Sequence, residues 1–207
     1  MKRRDLLAAV LGASTLAPVT ALGALSPTPP QGRGPFYPDR LPLDRDNDLV
    51  QVDGHPDLAQ GEITDLSGRV LDATGKPLAG ALVEIWQCDA NGRYLHRGDR
   101  GGRPRDPGFQ GYGRFETGHD GGYRFRTIKP VPYPGRAPHI HFAVRAAGHP
   151  PLVTQMYVEG APENARDWLL TGIADPVARA ALIVPFRPSP SATAALSARF
   201  DLVLSAS

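Results

Sequence analysis

Glycine and proline recur between short apolar runs along most of this chain, and that punctuation limits what it can fold into. Proline breaks a helix and glycine weakens one, so short extended segments joined by turns are favoured over a helical bundle. The 23 glycines and 22 prolines are spread over 207 residues, a length that suits one domain with a proper core. A hydrophobic share of 41% argues against disorder over most of it.

Regular structure is expected from about Ile63. Leu66 to Leu71 reads as a strand, with Asp72 to Pro77 as its turn. Ala79 to Cys88 reads as the next, with Ala81, Val83 and Ile85 on one face and Leu82, Glu84 and Trp86 on the other. Asp89-Ala90-Asn91-Gly92 makes a second turn, and Arg93 to His96 starts another extended piece. Arg97 to Gly113 is a long loop without periodicity, the kind that is usually functional or mobile. Further strands are expected around Tyr123 to Thr127, Pro138 to Ala146, Leu152 to Val158 and Arg199 to Leu204. Between the last two, Asp175 followed by Pro176 is a good helix start. The expected fold is all-β: an antiparallel β-sandwich with long loops and one or two short helices near the C-terminus.

Ahead of this domain (residues 63–207) lie two segments of another character. Residues 26–62 are rich in proline and aspartate and read as an extended arm wrapped over the domain. Residues 1–25 read as an export signal. Lys2, Arg3 and Arg4 precede a short apolar stretch, and Ala21 and Gly23 offer a cleavage site. The adjacent arginines before Asp5-Leu6-Leu7 resemble a twin-arginine signal, so a periplasmic or extracellular location is expected. The apolar stretch is too short for a membrane span.

Lys and Arg number 23 against 21 Asp and Glu, which leaves no basic field for nucleic acid. Cys88 is the one cysteine, so a thiolate-based zinc or iron–sulfur site is ruled out, and any metal must be held by oxygen and nitrogen. His139-Ile140-His141 on a strand would put both imidazoles on one face and Ile140, Phe142 and Val144 on the other. Two imidazoles so placed can grip one metal ion, although a His-x-His on a solvated strand is often incidental. Tyr133 sits upstream in a stiff, proline-rich loop leading into that strand, and Tyr94 lies in Gly92 to His96. Taken singly, each tyrosine reads equally well as a packing aromatic.

In combination these stretches are more specific. Gly92-Arg93-Tyr94-Leu95-His96, Phe125 to Pro134 and Arg136 to Phe142 together resemble the iron-binding region of the intradiol ring-cleavage dioxygenases, especially the protocatechuate 3,4-dioxygenase type. Leu66 to Gln87 and Gly34-Pro35-Phe36-Tyr37-Pro38 extend the likeness over most of the chain. The resemblance implies one non-haem Fe(III) per chain, held by Tyr94, Tyr133, His139 and His141. It also implies a small aromatic diol and O2 as reactants, giving a cis,cis-muconate-type diacid, and a possible homo-oligomer. Tyr133 would be the tyrosine released when substrate binds, Arg136 would stabilise negative charge on the substrate, and Gln155 and Tyr37 would help to bind it. The tyrosine-to-histidine interval is shorter here than in protocatechuate enzymes, and Gly135 stands where a bulky aromatic is expected; a more open or differently shaped pocket follows. Two other readings remain at this point. Gly68 to Val83 also fits transthyretin-like binding sandwiches, and His139, His141 and His96 could form a zinc or copper site.

Overall fold

The computed structural model of the chain describes residues 24–206. The leader expected over residues 1–25 falls almost wholly outside the described residues. Ten strands carry the fold: β1 (Ile63–Asp72), β2 (Leu82–Trp86), β3 (Tyr112–Glu116), β4 (Gly122–Ile128), β5 (His139–Arg145), β6 (Leu152–Val158), β7 (Ile183–Val184), β8 (Arg187–Pro188), β9 (Leu196–Arg199) and β10 (Leu202–Leu204). Between β6 and β7 come a 3-10 turn (Pro162–Ala165) and two short helices, α1 (Trp168–Thr171) and α2 (Pro176–Ala180). Asp175 caps α2 through Val177 N, with Pro176 in the first turn, as the sequence suggests.

The strands form two five-stranded sheets, one ordered β10-β1-β9-β8 with β4 also on β1, the other β3-β2-β5-β6-β7. The expected antiparallel pairing holds for β1–β4, β2–β3, β2–β5, β5–β6 and β8–β9, while both sheets are mixed: β1 runs parallel to β9 and β10, and β6 parallel to β7. Parallel neighbours need a long crossover, and here the helical segment after β6 and the whole domain after β1 supply it. Local turn signals could not reveal either pairing. Leu66, Val70 and Phe125 from one sheet meet Val83, Ile85, Ile140, Phe142 and Val144 from the other in the main core.

Three local expectations also change. β3 was hidden in the sequence by Gly111 and Gly113, yet it pairs with β2 from Trp86↔Tyr112 to Leu82↔Glu116. Gly113 is required there because a Cβ would fall 2.6 Å from the Asp46 carbonyl oxygen of the passing arm. Arg93 to His96 is irregular rather than extended. Carboxylates take the place of a partner strand: Asp89 Oδ1 accepts from Asn91 N and Arg93 N, and Asp99 Oδ2 from Tyr94 N at 2.6 Å. The closing strand is split at Phe200 and Asp201, where the Phe200 carbonyl accepts the buried Tyr123 hydroxyl and Asp201 accepts from Arg69 N.

Residues 24–62 form no strand but are pinned along the sandwich. Thr28 N donates to Val203 O, Gln31 N to Val153 O and Leu49 N to Arg126 O, and the Leu49 and Val50 side chains enter the core. The arm thereby covers the outer face of the second sheet, where a smaller cluster of Trp86, Cys88, Tyr94, Tyr112 and Ala143 lies against Phe36, Tyr37 and Tyr133.

Gly68 shows how closely the Phe200 link between the two closing strands packs on β1. A Cβ there would lie 2.0 Å from Phe200 O and 2.7 Å from Tyr123 Oη. Gly68→Ala is therefore expected to destabilise the fold by about 1–3 kcal/mol. Gly102→Ala, where nothing lies within 4 Å, should stay within about 0.5 kcal/mol. Urea unfolding of the two variants checks the contrast, and equal midpoints would show that the Phe200 contact gives way freely.

Candidate active site

β5 is the axis of the site. Its alternation sends Ile140, Phe142 and Val144 into the main core and leaves His139 and His141 on the opposite face, both almost wholly buried. The two Nε2 atoms face each other at 3.2 Å, and Tyr94 Oη lies 3.2 Å from His139 Nε2. The β-ladder places Trp86 and Gln155 beside His141 and Tyr157 beside His139. The Trp86 indole stacks on the His141 ring at 4.8 Å and 6°. Tyr133 closes the group, its ring 5.6 Å from Tyr94 and 5.5 Å from His139.

Tyr133 is delivered by a tight turn. Arg136 N donates to Tyr133 O at 2.9 Å, with Pro134 and Gly135 between and Gly135 at φ +82°. That is the type II pattern, in which proline presets the first central residue and glycine takes the left-handed one. The turn also fixes Arg136, which lines a cleft of about 260 Å3 together with Tyr133, Gly135, Glu163, Arg166 and Asp167. The Arg136 guanidinium donates through Nε to Asp167 Oδ2 at 2.9 Å and through Nη2 to Gln155 Oε1 at 2.6 Å. Tyr133 Oη and Tyr157 Oη each lie 3.4 Å from it.

Burial dominates the protonation states. It pushes the His139 imidazolium down to about 4, helped by the nearby Arg136 charge, and it holds His141 well below the ordinary value, with His139 adding to the effect. Both rings are therefore neutral. His139 Nδ1 lies 2.6 Å from the Ala137 carbonyl, so Nδ1 carries the proton and Nε2 presents its lone pair to the centre. Burial likewise raises Tyr94 well above its ordinary value, with Cys88 and Tyr133 contributing, and raises Tyr133 despite Arg136. For Arg136 burial works against the charge, but Tyr133, Asp167 and Tyr157 outweigh it.

The donor set fits a hard or borderline cation. Two ligands about 2.1 Å from one ion at a right angle stand about 3 Å apart, close to the observed Nε2–Nε2 separation of 3.2 Å. His141 Nδ1 is buried with no hydrogen-bond partner among the described residues. No carbonyl therefore fixes the His141 tautomer in the way that Ala137 fixes that of His139. The chemistry is two imidazole nitrogens and two phenol oxygens, without thiolate, which matches ferric iron better than a soft ion. A cation there would reverse the preference of the phenols for their protonated form. His96 does not join the group, since its Nδ1 accepts from Gly98 N at 2.9 Å. Among the described residues no cluster of three or more His, Cys, Asp or Glu forms a rival centre.

Tyr94, Tyr133, His139, His141, Arg136 and Gln155 thus come together. Tyr37 stands one ring away: its edge meets Trp86 at 5.0 Å and its hydroxyl donates to Glu84 Oε1 at 2.8 Å. Its neighbour Phe36 is the arm aromatic that stacks on Tyr94, at 5.1 Å. Asp167 and Gln31 were not singled out in the sequence. Asp167 before the apolar run Trp168-Leu169-Leu170 carried a helix-cap signal, whereas its link to Arg136 had none.

Comparison with known proteins places these observations in a family. Residues 33–206 match the family model described as Dioxygenase. The chain is 43% identical over 176 residues to the protocatechuate 3,4-dioxygenase beta chain of Burkholderia cepacia, covering 80% of this chain and 73% of that one. It is 32% identical over 153 residues to a catechol 1,2-dioxygenase of Candida albicans, covering 65% of this chain and 48% of that protein, so it spans about half the length of this relative. The dioxygenase domain of a dioxygenase–carbohydrate-binding fusion from Streptomyces sp. SirexAA-E superposes with a TM-score of 0.65 at 35% identity, covering 88% of this chain and all of that one.

The placement of Tyr37 has a measurable consequence. Glu84 also accepts from Tyr112 Oη at 2.6 Å and pairs with Arg145. Tyr37→Phe removes one of three partners and is expected to cost about 0.5–1.5 kcal/mol of stability, leaving metal content unchanged. Thermal unfolding and metal analysis test this together; lost metal would place Tyr37 inside the ligand shell.

Proposed function

This chain belongs to the intradiol ring-cleavage dioxygenase family, and on that premise we propose that it opens catechol-type rings between their two hydroxylated carbons, taking both atoms of O2 into a cis,cis-muconate-type diacid. The observation that carries the reading is the convergence of His139 Nε2, His141 Nε2 and Tyr94 Oη within 3.2 Å steps, with Tyr133 beside them. We assign these four residues as ligands of one ferric ion. When bound, ferric iron would supply the Lewis acidity and electron withdrawal that make a catecholate ring reactive toward O2.

The residues of the chain divide the remaining work by burial. Tyr94 is enclosed, with 3% of its surface exposed, between Phe36 and the histidines, and stays in place. Tyr133 sits at the rim, on a turn that faces the cleft. As a tyrosinate when the ion is bound, it is the ligand that can swing aside when a catechol arrives, taking up a substrate proton at Oη and leaving as the neutral phenol. Arg136 Nη1 at 3.4 Å stands ready to meet the hydroxyl in that exchange. The same guanidinium stabilises negative charge as it builds on the ring carbon under attack, an effect strengthened by the buried surroundings. Gln155 holds Arg136 and, through Nε2, the Gly32 carbonyl of the arm.

The open space at Gly135, where a Cβ would meet nothing within 4 Å, supports a pocket more open than, or shaped differently from, that of protocatechuate enzymes. The leader over residues 1–25 supports export, and we propose the twin-arginine route, which carries folded, metal-loaded chains.

Iron-loaded protein is expected to be red-brown from tyrosinate-to-ferric charge transfer, with one iron per chain and a band that moves to longer wavelength when catechol is added without air. Tyr133→Phe should retain most of the iron, change the band and lower kcat by about 10²-fold or more. His141→Ala should lose the iron. A colourless wild-type chain after reconstitution with ferric iron would sink the dioxygenase reading.

A further inference from the structure

We propose that Asp167 is the positioning residue of this site, holding the Arg136 guanidinium in its working orientation through a closed ring of hydrogen bonds that includes the arm residue Gln31. The inference rests on the role assigned to Arg136 above and extends it to Asp167 and Gln31, which lie outside the proposed ligand set.

Asp167 is 1% exposed, and its two carboxylate oxygens serve different masters. Oδ1 accepts from Leu169 N and Leu170 N and so caps α1, which is a structural task. Oδ2 accepts from Arg136 Nε at 2.9 Å and from Ala137 N at 2.8 Å. A cap needs neither of these last two. They tie Asp167 to the segment that enters β5, where the Ala137 carbonyl in turn holds His139 Nδ1. One buried carboxylate therefore fixes both the guanidinium and the backbone that orients the first histidine.

The ring closes through the arm. Arg136 Nη2 reaches Tyr157 Oη at 3.4 Å, Tyr157 Oη donates to Gln31 Oε1 at 3.0 Å, and Gln31 Nε2 donates to Leu169 O at 3.0 Å. Leu169 N returns to Asp167 Oδ1. Arg136 has a long flexible stem and only 12% of its side chain exposed, so it has many orientations to lose and little water to compensate a wrong one. A misplacement of about 1 Å can lower a rate about 10²-fold. With Asp167, Gln155 and Tyr157 accepting from Nε and Nη2, Nη1 is the side of the fork left toward Tyr133 and the cleft.

The test is a double-variant cycle on the iron-loaded full chain with catechol as the probe, using Asp167→Asn, Arg136→Gln and their combination. Asp167→Asn has one acceptor oxygen in place of two: with that oxygen kept on the α1 cap, the amide NH2 is turned toward Arg136 Nε, donor against donor. It is expected to lower kcat about 10²-fold, with KM within about threefold, iron stoichiometric and the tyrosinate band unmoved. In the Arg136→Gln background the same change should lower kcat by only about twofold, because the guanidinium is gone and the Ala137 N contact alone is left to lose. Equal losses in both backgrounds would overturn the proposal and leave Asp167 a structural cap. Melting of the iron-free chains gives a readout independent of turnover. Arg136→Gln strands a buried carboxylate, so Asp167→Asn is expected to lower the midpoint in the parent chain and raise it in that background; additive losses overturn the coupling. Should Asp167→Asn fail to fold, Gln31→Leu opens the ring without touching the cap. A several-fold loss of kcat that vanishes in the Arg136→Gln background supports the proposal, and parent-like kcat overturns it. A parent chain that binds iron yet never cleaves catechol would instead refute the proposed function, leaving the melting cycle to judge Asp167.

Discussion

A strand buried on both faces is the constraint from which the rest of the structure follows. Six of the seven residues of β5, all but the terminal Arg145, are buried. One face is an ordinary apolar core, but the other carries two imidazoles. The side-chain period of two keeps these populations apart, and a slip of one residue would drive both histidines into the sandwich core. Register is therefore enforced from the apolar side by Ile140, Phe142 and Val144, and the polar side inherits its precision. The same ladder fixes which residues from β2 and β6 stand next to the imidazoles, so Trp86, Gln155 and Tyr157 are placed by sheet pairing rather than by any loop.

Burying this polar face requires a cover with its own hydrogen bonds, because unpaired polar groups in the interior are destabilising. The arm provides it. Pro29 O accepts from Thr154, Gly32 O from Gln155, and the Gln31 side chain spans from Tyr157 to the first turn of α1. Gly34 lies so close to His141 that a Cβ would come within 3.3 Å of its Cε1 atom. Charges in the enclosed space are matched locally, with Arg136 set against Asp167 and Glu84 against Arg145 on the far side of Trp86. What remains is a buried, neutral nest of nitrogen and oxygen donors, an environment in which an added cation has a large electrostatic effect.

Much of this was legible because it depends on local rules. Alternation on β5, the turn chemistry of Tyr133 to Arg136 and the Asp175-Pro176 helix start are short-range signals, and each appears in the structure. The four proposed ligands were also legible, though only as a combination carried by a family pattern. What the sequence concealed was long-range. Parallel pairing of β1 with strands from the other end of the chain leaves no local mark. β3 was obscured because Gly113 serves a close approach of the arm rather than a turn. The irregular run through Tyr94 looked extended because its hydrogen-bond partners are the carboxylates of Asp89 and Asp99, which substitute for a neighbouring strand.

The hardest parts to read were those in which a residue performs two tasks or contributes only its backbone. Asp167 advertises a helix cap, and nothing in its neighbours announces Arg136, which lies 31 positions earlier. The arm offers the carbonyls of Pro29 and Gly32, which any residue could supply, so side-chain identity there carries little information. This division also explains the asymmetry between the two tyrosines. Tyr94 is locked by a loop whose own carboxylates satisfy its backbone, beneath an aromatic from the arm. Tyr133 hangs on a two-residue turn at the edge of the cleft, held chiefly by edge contacts and a 3.4 Å approach to Arg136. The ligand exchange proposed for this site needs one residue to let go, and the fold has left the weaker hold on the one nearest the opening.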